Sequence, residues 1–200
     1  MEKEILTKEI AKKLMEIKGE VRGFAFKDDA EFILKEKGEE GLKKLEDELA
    51  RVGYPIEYKK IKLMNFYPIG MQILNLLAIK KVFNFDDNKF REMGAFESKL
   101  PLAVRFFMRY FVSFKTMAKQ TSKMWKKYYT AGDLQVSTYN EAERYAILRL
   151  KNFRLHPLHC RVLEGYFPNS AKMVVRRPVT CKETKCLFLG NAYHEFLLKW

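Results

Sequence analysis

A chain of 200 residues with 48% hydrophobic and 32% charged side chains can bury one substantial core, which excludes wholesale disorder. Its net charge of +13 is uneven: the first fifty residues hold 11 basic and 14 acidic side chains, so that part carries −3 and the remainder +16. A basic second part invites a nucleic acid or an anionic membrane, against the plainer reading of a Lys- and Glu-rich solvated surface.

The N-terminus, MEKEILTKEIAKKLMEIKG, is charged throughout and is not a signal peptide. The apolar stretches are too short to span a bilayer, and three cysteines at modest density fit a reducing compartment, so a cytoplasmic protein is expected. In that opening segment Ile5, Leu6, Ile10, Leu14 and Ile17 recur at helical spacing, and Gly19 ends the pattern. This narrow stripe can pack on the domain or on a second copy of the chain.

Short helices follow at 28 to 37 and 39 to 52, with Gly38 and Gly53 as breaks. From Pro68 to Phe83 the sequence is apolar around most of a helix and marks a central buried element. A helix at 86 to 97 precedes a long one from about Pro101 to Tyr128, aromatic in its first part and basic in its second.

After Gly132 the period becomes alternating. Residues 134 to 139 and 144 to 150 form an antiparallel pair, with Leu134, Val136, Ala146, Leu148 and Leu150 facing inward. A helix starts near His156, has Pro157 in its first turn and stops before Pro168. KMVVRRPVTC and NAYHEFLLKW supply two more strands, joined through a loop containing Gly190. The expected fold is α+β, a helical N-terminal half packed on a β-β-α-β-β antiparallel-sheet C-terminal half. Residues 1 to 19 form the amphipathic helix, 20 to 131 a helical subdomain and 132 to 200 an α/β subdomain of one structural domain.

No phosphate-cradling glycine loop, nucleophile elbow or H-E-x-x-H pair is present. Cys160 beside His159 is no nucleophile and base, because neighbours on a helix point about 100° apart. A non-enzymatic protein is expected.

All three histidines and all three cysteines lie in the last quarter of the chain. The stretch CKETKC, read as a hairpin turn, sets Cys181 opposite Cys186; Cys160 supplies a third ligand, and His194, with His159 as substitute, a fourth. Thiolates are soft ligands, so zinc suits such a set. The competing readings are a metal-free core that uses Cys and His as small buried groups, and acylation or redox chemistry at Cys160.

The strand pair, the helix with HC-x4-GYF (159 to 167), then V-x-C-x4-C and a last strand resemble the vinyl-4-reductase domain. That domain shares its fold with haem nitric-oxide-binding domains and with the small subunits of the TRAPP tethering complex. NFYPIGMQILNLL (65 to 77) and FREMG (90 to 94) are similar to an uncharacterised bacterial family expanded in myxobacteria and assigned to the same superfamily. The resemblance covers about residues 20 to 200 and implies a sensor or adaptor module holding a small apolar ligand or acyl chain between its halves. Cys160, Cys181 and Cys186 fall where the vinyl-4-reductase pattern has cysteines of proposed metal-binding role. The Y-x-S-x-R haem signature is missing from YAILRLKNFR, and no histidine precedes position 156, so haem is not expected.

With that resemblance, Phe66, Met71 and Leu74 of the central helix region and Phe107, Phe111 and Phe114 of the long helix are the expected ligand pocket. Lys115, Lys119, Lys123 and Lys126 share one helix face beside Trp125, a stripe able to grip phosphates and stack bases in the rival, nucleic-acid-binding reading. Partners thus expected are the apolar ligand and a partner protein or second copy, with nucleic acid or an anionic membrane as the alternative. A purely structural subunit is the third reading.

Overall fold

A computed structural model describes residues 6–96 and 114–200. The chain divides into two units, Met1–Lys89 and Phe90–Trp200. Among the described residues no helix is long and apolar enough to cross a membrane.

In the first unit, helix α1 (Lys8–Met15) begins where Thr7 Oγ1 accepts a hydrogen bond from the Ile10 amide at 3.3 Å. It packs on α3 (Ile69–Phe83), and Leu6 and Ala11 are buried. One side of the first segment thus packs on α3, while Ile10, Leu14 and Ile17 stay half-buried. Strands β1 (Glu20–Arg22) and β2 (Phe66–Pro68) form a small antiparallel pair that helical periodicity gives no hint of.

The two helices expected at 28 to 37 and 39 to 52 are present within α2 (Phe24–Arg51), the first beginning earlier than expected, and they meet at a non-helical break at Gly38. Gly38 has φ 68° and ψ −172°, a conformation open to glycine and costly for other residues, so both arms persist across the break. The apolar α3 is buried along most of its length, as its composition requires.

One polar network lies inside this apolar unit. The Tyr58 hydroxyl donates to Asn75 Oδ1 at 2.5 Å, and Asn75 Nδ2 donates to Asp29 Oδ2 at 2.8 Å. All three residues are buried. Burial, reinforced by the neighbouring Asp28 charge, pushes the Asp29 carboxyl up to about 8 although the Asn75 hydrogen bond opposes it.

Helix α4 (Asp87–Ala95) spans the division between the units. The second unit continues with α5 (Phe114–Tyr128), β3 (Asp133–Asn140), β4 (Tyr145–Lys151), α6 (Pro157–Val175), β5 (Thr180–Lys185) and β6 (His194–Lys199). The four strands form one antiparallel sheet in the order β3-β4-β6-β5. Leu150 stands opposite His194, Leu148 opposite Phe196, and Cys181 opposite Leu198, so the alternation read from the sequence places one apolar face inward. Both outer strands are irregular, β3 between Val136 and Thr138 and β5 between Glu183 and Lys185.

Two glycines set the approach of α4 to α6. A Cβ on Gly94 would lie 1.9 Å from the Val162 carbonyl oxygen, and one on Gly165 would lie 1.9 Å from that of Arg91. These glycines belong to FREMG and HC-x4-GYF, which gives both stretches a packing role.

Helix α6 does not stop before Pro168; it runs through it to Val175 and ends at Arg176, whose φ is 54°. Pro168 removes one amide from the helical ladder, a loss this well-packed helix tolerates. KMVV is therefore helix and not strand, and β5 begins only at Thr180.

Candidate metal centre

Cys181 through Lys185 are strand, so CKETKC is no hairpin turn and its two cysteines do not face each other. The turn comes later, from Cys186 to Tyr193, where Leu187–Leu189 form a short 3-10 turn and Gly190 has φ 85°. Alternation along β5 aims Cys181 and Glu183 to the inner face. The register shift then lets the chain leave the strand at Cys186, on the side of β6 where His194 begins.

Four ligand atoms converge there. One each from Cys160, Glu183, Cys186 and His194 lie within 4.8 Å of one another, in surroundings where the two cysteines and the histidine are buried. Cys160 Sγ stands 3.5 Å from His194 Nδ1, and His194 Nδ1 stands 2.9 Å from Glu183 Oε1. With bonds of about 2.0–2.3 Å, ligands at the corners of a tetrahedron around zinc are separated by roughly 3.3–3.8 Å, so modest closure of this group around one ion suffices. Cys181 and His159, both named from the sequence, are not members of the group. Glu183, which that reading passed over, is.

The second nitrogen of His194 fixes the ring. Nε2 lies 3.0 Å from the Phe153 carbonyl oxygen, an acceptor only, so Nε2 carries the proton and donates it. Nδ1 faces Cys160 and the Glu183 carboxylate, and it is the nitrogen a bound cation would take. A carbonyl held by the non-ligating nitrogen is the usual support of a metal-bound imidazole.

Cys186 has its own support. The Phe188 amide donates to its sulfur, and its carbonyl accepts from the Leu189 amide at 3.0 Å, the Asn191 amide at 3.2 Å and Asn191 Nδ2 at 3.1 Å. A backbone N–H aimed at sulfur stabilises thiolate over thiol.

Charges around the group are arranged in layers. Arg161 Nη1 donates to Glu164 Oε2 at 2.6 Å, and its Nη2 bonds to Glu183 Oε2. Glu164 Oε1 accepts the Glu183 amide at 2.7 Å, and Arg91 Nε reaches Glu164 Oε2 at 2.8 Å. Two thiolates and one carboxylate around a divalent cation leave one negative charge in excess, which the Arg161 guanidinium offsets.

Without a cation the thiols stay protonated. Burial, with the nearby Glu183 charge, drives the Cys160 thiol far above its ordinary value, and burial raises Cys186 against the Phe188 amide. Burial is also the largest influence on Glu183, but hydrogen bonds from His194 and Cys186 together with Arg161 outweigh it and hold the carboxyl low. Outside the group, Cys181 is pushed up to about 12 by burial and by the Glu164 and Glu183 charges.

His159 is buried, with Nε2 3.3 Å from the Tyr129 hydroxyl and the Tyr129 and Phe153 rings against it. Burial lowers its pKa to about 3, so it is a neutral core residue. His156 caps α6, its Nδ1 accepting the Leu158 amide at 3.1 Å.

The other expected sites fare differently. Leu74 is packed in the core of the first unit, while Phe66 and Met71 are half-buried and Arg22 lies 3.8 Å over the Phe66 ring. Phe107 and Phe111 lie outside the described residues, as do the side chains of Phe114 and Lys115. On α5, Lys119 and Lys123 are exposed, but Lys126 pairs with Asp133 at 2.8 Å. Trp125 is buried, stacked on Tyr129 with ring centroids 4.4 Å apart, and its Nε1 donates to the Ala131 carbonyl. It cannot stack on a base, which corrects its assignment to a polyanion-binding stripe.

The fold is that of H-NOX proteins. An H-NOX protein from S. oneidensis in its Fe(II)NO state superposes with a TM-score of 0.60 at 12% identity, over 89% of this chain and 98% of that one. A variant of that protein in the Fe(II) state gives 0.63 at 12% identity, over 89% and 95%. A trafficking protein particle complex subunit 3 from Naegleria fowleri, covalently bound to palmitic acid, gives 0.45 at 14% identity over 62% and 87%. No family model matches the chain, and no curated protein does.

Proposed function

We propose that this chain is a non-catalytic, ligand-responsive sensor or adaptor domain of H-NOX fold whose α/β unit is built on one zinc ion. Cys160, Cys186, His194 and Glu183 are its ligands. One observation carries the reading: four donor atoms from α6, β5, the following turn and β6 converge, with His194 Nε2 already spent on Phe153 and a backbone amide already aimed at Cys186.

Bound there, zinc would cross-link three consecutive elements of the unit and supply folding free energy. A site closed by four protein ligands leaves no position for a reacting water, consistent with a structural and not a catalytic ion.

Haem is not part of this reading. Its fit can be judged from the histidines: His156 is a helix cap, His159 is walled in by aromatic rings, and His194 is held by Phe153 and Glu183. The proposed sensed ligand is small and apolar, as the sequence resemblance implies.

The test is native mass spectrometry of freshly purified protein together with metal analysis. About one zinc per chain is expected, along with an added mass of a few hundred daltons when the apolar ligand is retained. Protein that carries no zinc and takes up none on titration would overturn the metal reading.

A further inference from the structure

The turn after Cys186 does more than close a strand connection. It lifts Leu189 into solvent, 82% exposed, the most exposed large apolar side chain among the described residues, with half-buried Leu187 and Phe188 beneath it. Arg154 stands 5.9 Å over the Phe188 ring, and exposed Lys151, with Asp133 opposite it, and Lys185, which pairs with Glu195 at 3.5 Å, lie at the same end of the sheet. An apolar tip with Arg154 and Lys151 at its end of the sheet, on a chain of net charge +13, matches the two layers of an anionic bilayer surface: acyl chains for the tip, phosphates for the cations.

The turn hangs from one residue. The Phe188 amide bonds to the Cys186 sulfur, and the Leu189 and Asn191 amides and the Asn191 side chain all bond to the Cys186 carbonyl. Whatever fixes Cys186 therefore fixes Leu189.

We propose that residues 187–190 are a membrane-inserting tip for anionic lipid, held in its inserting shape by metal on Cys186. This rests on the metal-centre reading for its switch and on the exposed tip for its ligand. Cations beside an exposed apolar side chain favour an anionic lipid surface over a protein.

The test is sedimentation of zinc-loaded full chain, its metal content measured, with sucrose-filled vesicles. One set is phosphatidylcholine alone; the other holds equal parts phosphatidylcholine and phosphatidylglycerol. Binding to the mixed vesicles only is expected, weakened about tenfold by Leu189→Ser, the worth of one buried leucine. Met64→Ser, which removes an apolar side chain 62% exposed in the first unit, should leave binding unchanged. Leu189→Trp should give an emission that shifts to the blue on the mixed vesicles. Chelating the zinc should lower wild-type binding to the level of Leu189→Ser.

Zinc-loaded protein that binds no vesicles, or binds equally well with Leu189→Ser, overturns the tip and leaves the metal centre standing; a protein-docking tip would give the first of these results. Leu189-dependent binding by protein that takes up no zinc overturns both the switch and the metal centre.

Discussion

His194 Nε2 lies 3.0 Å from the carbonyl oxygen of Phe153, and this one contact decides which nitrogen of the buried ring can meet a cation. The backbone just before α6 thereby sets the tautomer of a side chain on β6. His194→Gln, which keeps the size and a hydrogen-bonding end but not the imidazole, should weaken zinc binding by more than the roughly ten- to hundredfold that losing an outer partner of a ligand costs. Competition with a chromophoric chelator measures this; undiminished affinity would show that His194 is no ligand.

Cysteine substitutions should divide unequally. Cys160→Ser and Cys186→Ser should each abolish stoichiometric zinc, while Cys181→Ser should retain it, since Cys181 stands outside the converging group. Removing the metal from wild-type protein should lower its thermal midpoint, and Cys181→Ser should show the same drop. Metal analysis and calorimetry on the three variants check the division.

The approach of α4 to α6 makes a mechanical prediction. Gly165→Ala would drive a methyl group into the Arg91 carbonyl and should destabilise the protein by about 2–4 kcal/mol, with Gly94→Ala similar. Because both changes strain the same contact, the double variant should lose less than the sum. Chemical denaturation of the three variants reads both effects.

The buried Asp29 carboxyl predicts a pH dependence of opposite sign to that of a salt-bridged acid. Its folded-state pKa of about 8 lies above the ordinary value of 3.8, so the folded chain keeps a proton that the unfolded chain releases. This group's contribution is complete below about pH 4 and declines as pH rises toward about 8, by on the order of 5 kcal/mol at the most. Asp29→Asn should flatten that decline and make the protein more stable near neutral pH. Urea unfolding followed by circular dichroism at several pH values would reveal an unchanged slope if the network does not hold the proton.

Much of this fold is legible locally. The strand alternation from Leu134 to Leu150 and the all-round apolar character of α3 follow from residue spacing, and the structure reproduces both. Breaks divide: Gly38 interrupts its helix as expected, whereas Pro168 is absorbed by one, because tertiary packing outweighs a single lost hydrogen bond. The candidate site was half visible. Cysteines and histidines are scarce and announce themselves, whereas Glu183 resembles any surface glutamate until β5 is known to turn it inward.

The same limit applies to Asn75. An amide in the middle of an apolar helix was the one local sign of the Asp29 and Tyr58 network, and nothing in the spacing of Asp29 distinguishes it from its neighbour Asp28. Partners far apart in sequence are created by the fold and cannot be read before it.

The two irregular outer strands have a consequence for how the molecule meets copies of itself. A further strand laid along β3 would lose step between Val136 and Thr138, and one laid along β5 would lose it between Glu183 and Lys185 while meeting Lys182 and Lys185. The sheet therefore terminates itself on both sides, and extended cross-strand polymers are shut out by the same register shift that delivers Cys186 to its neighbours.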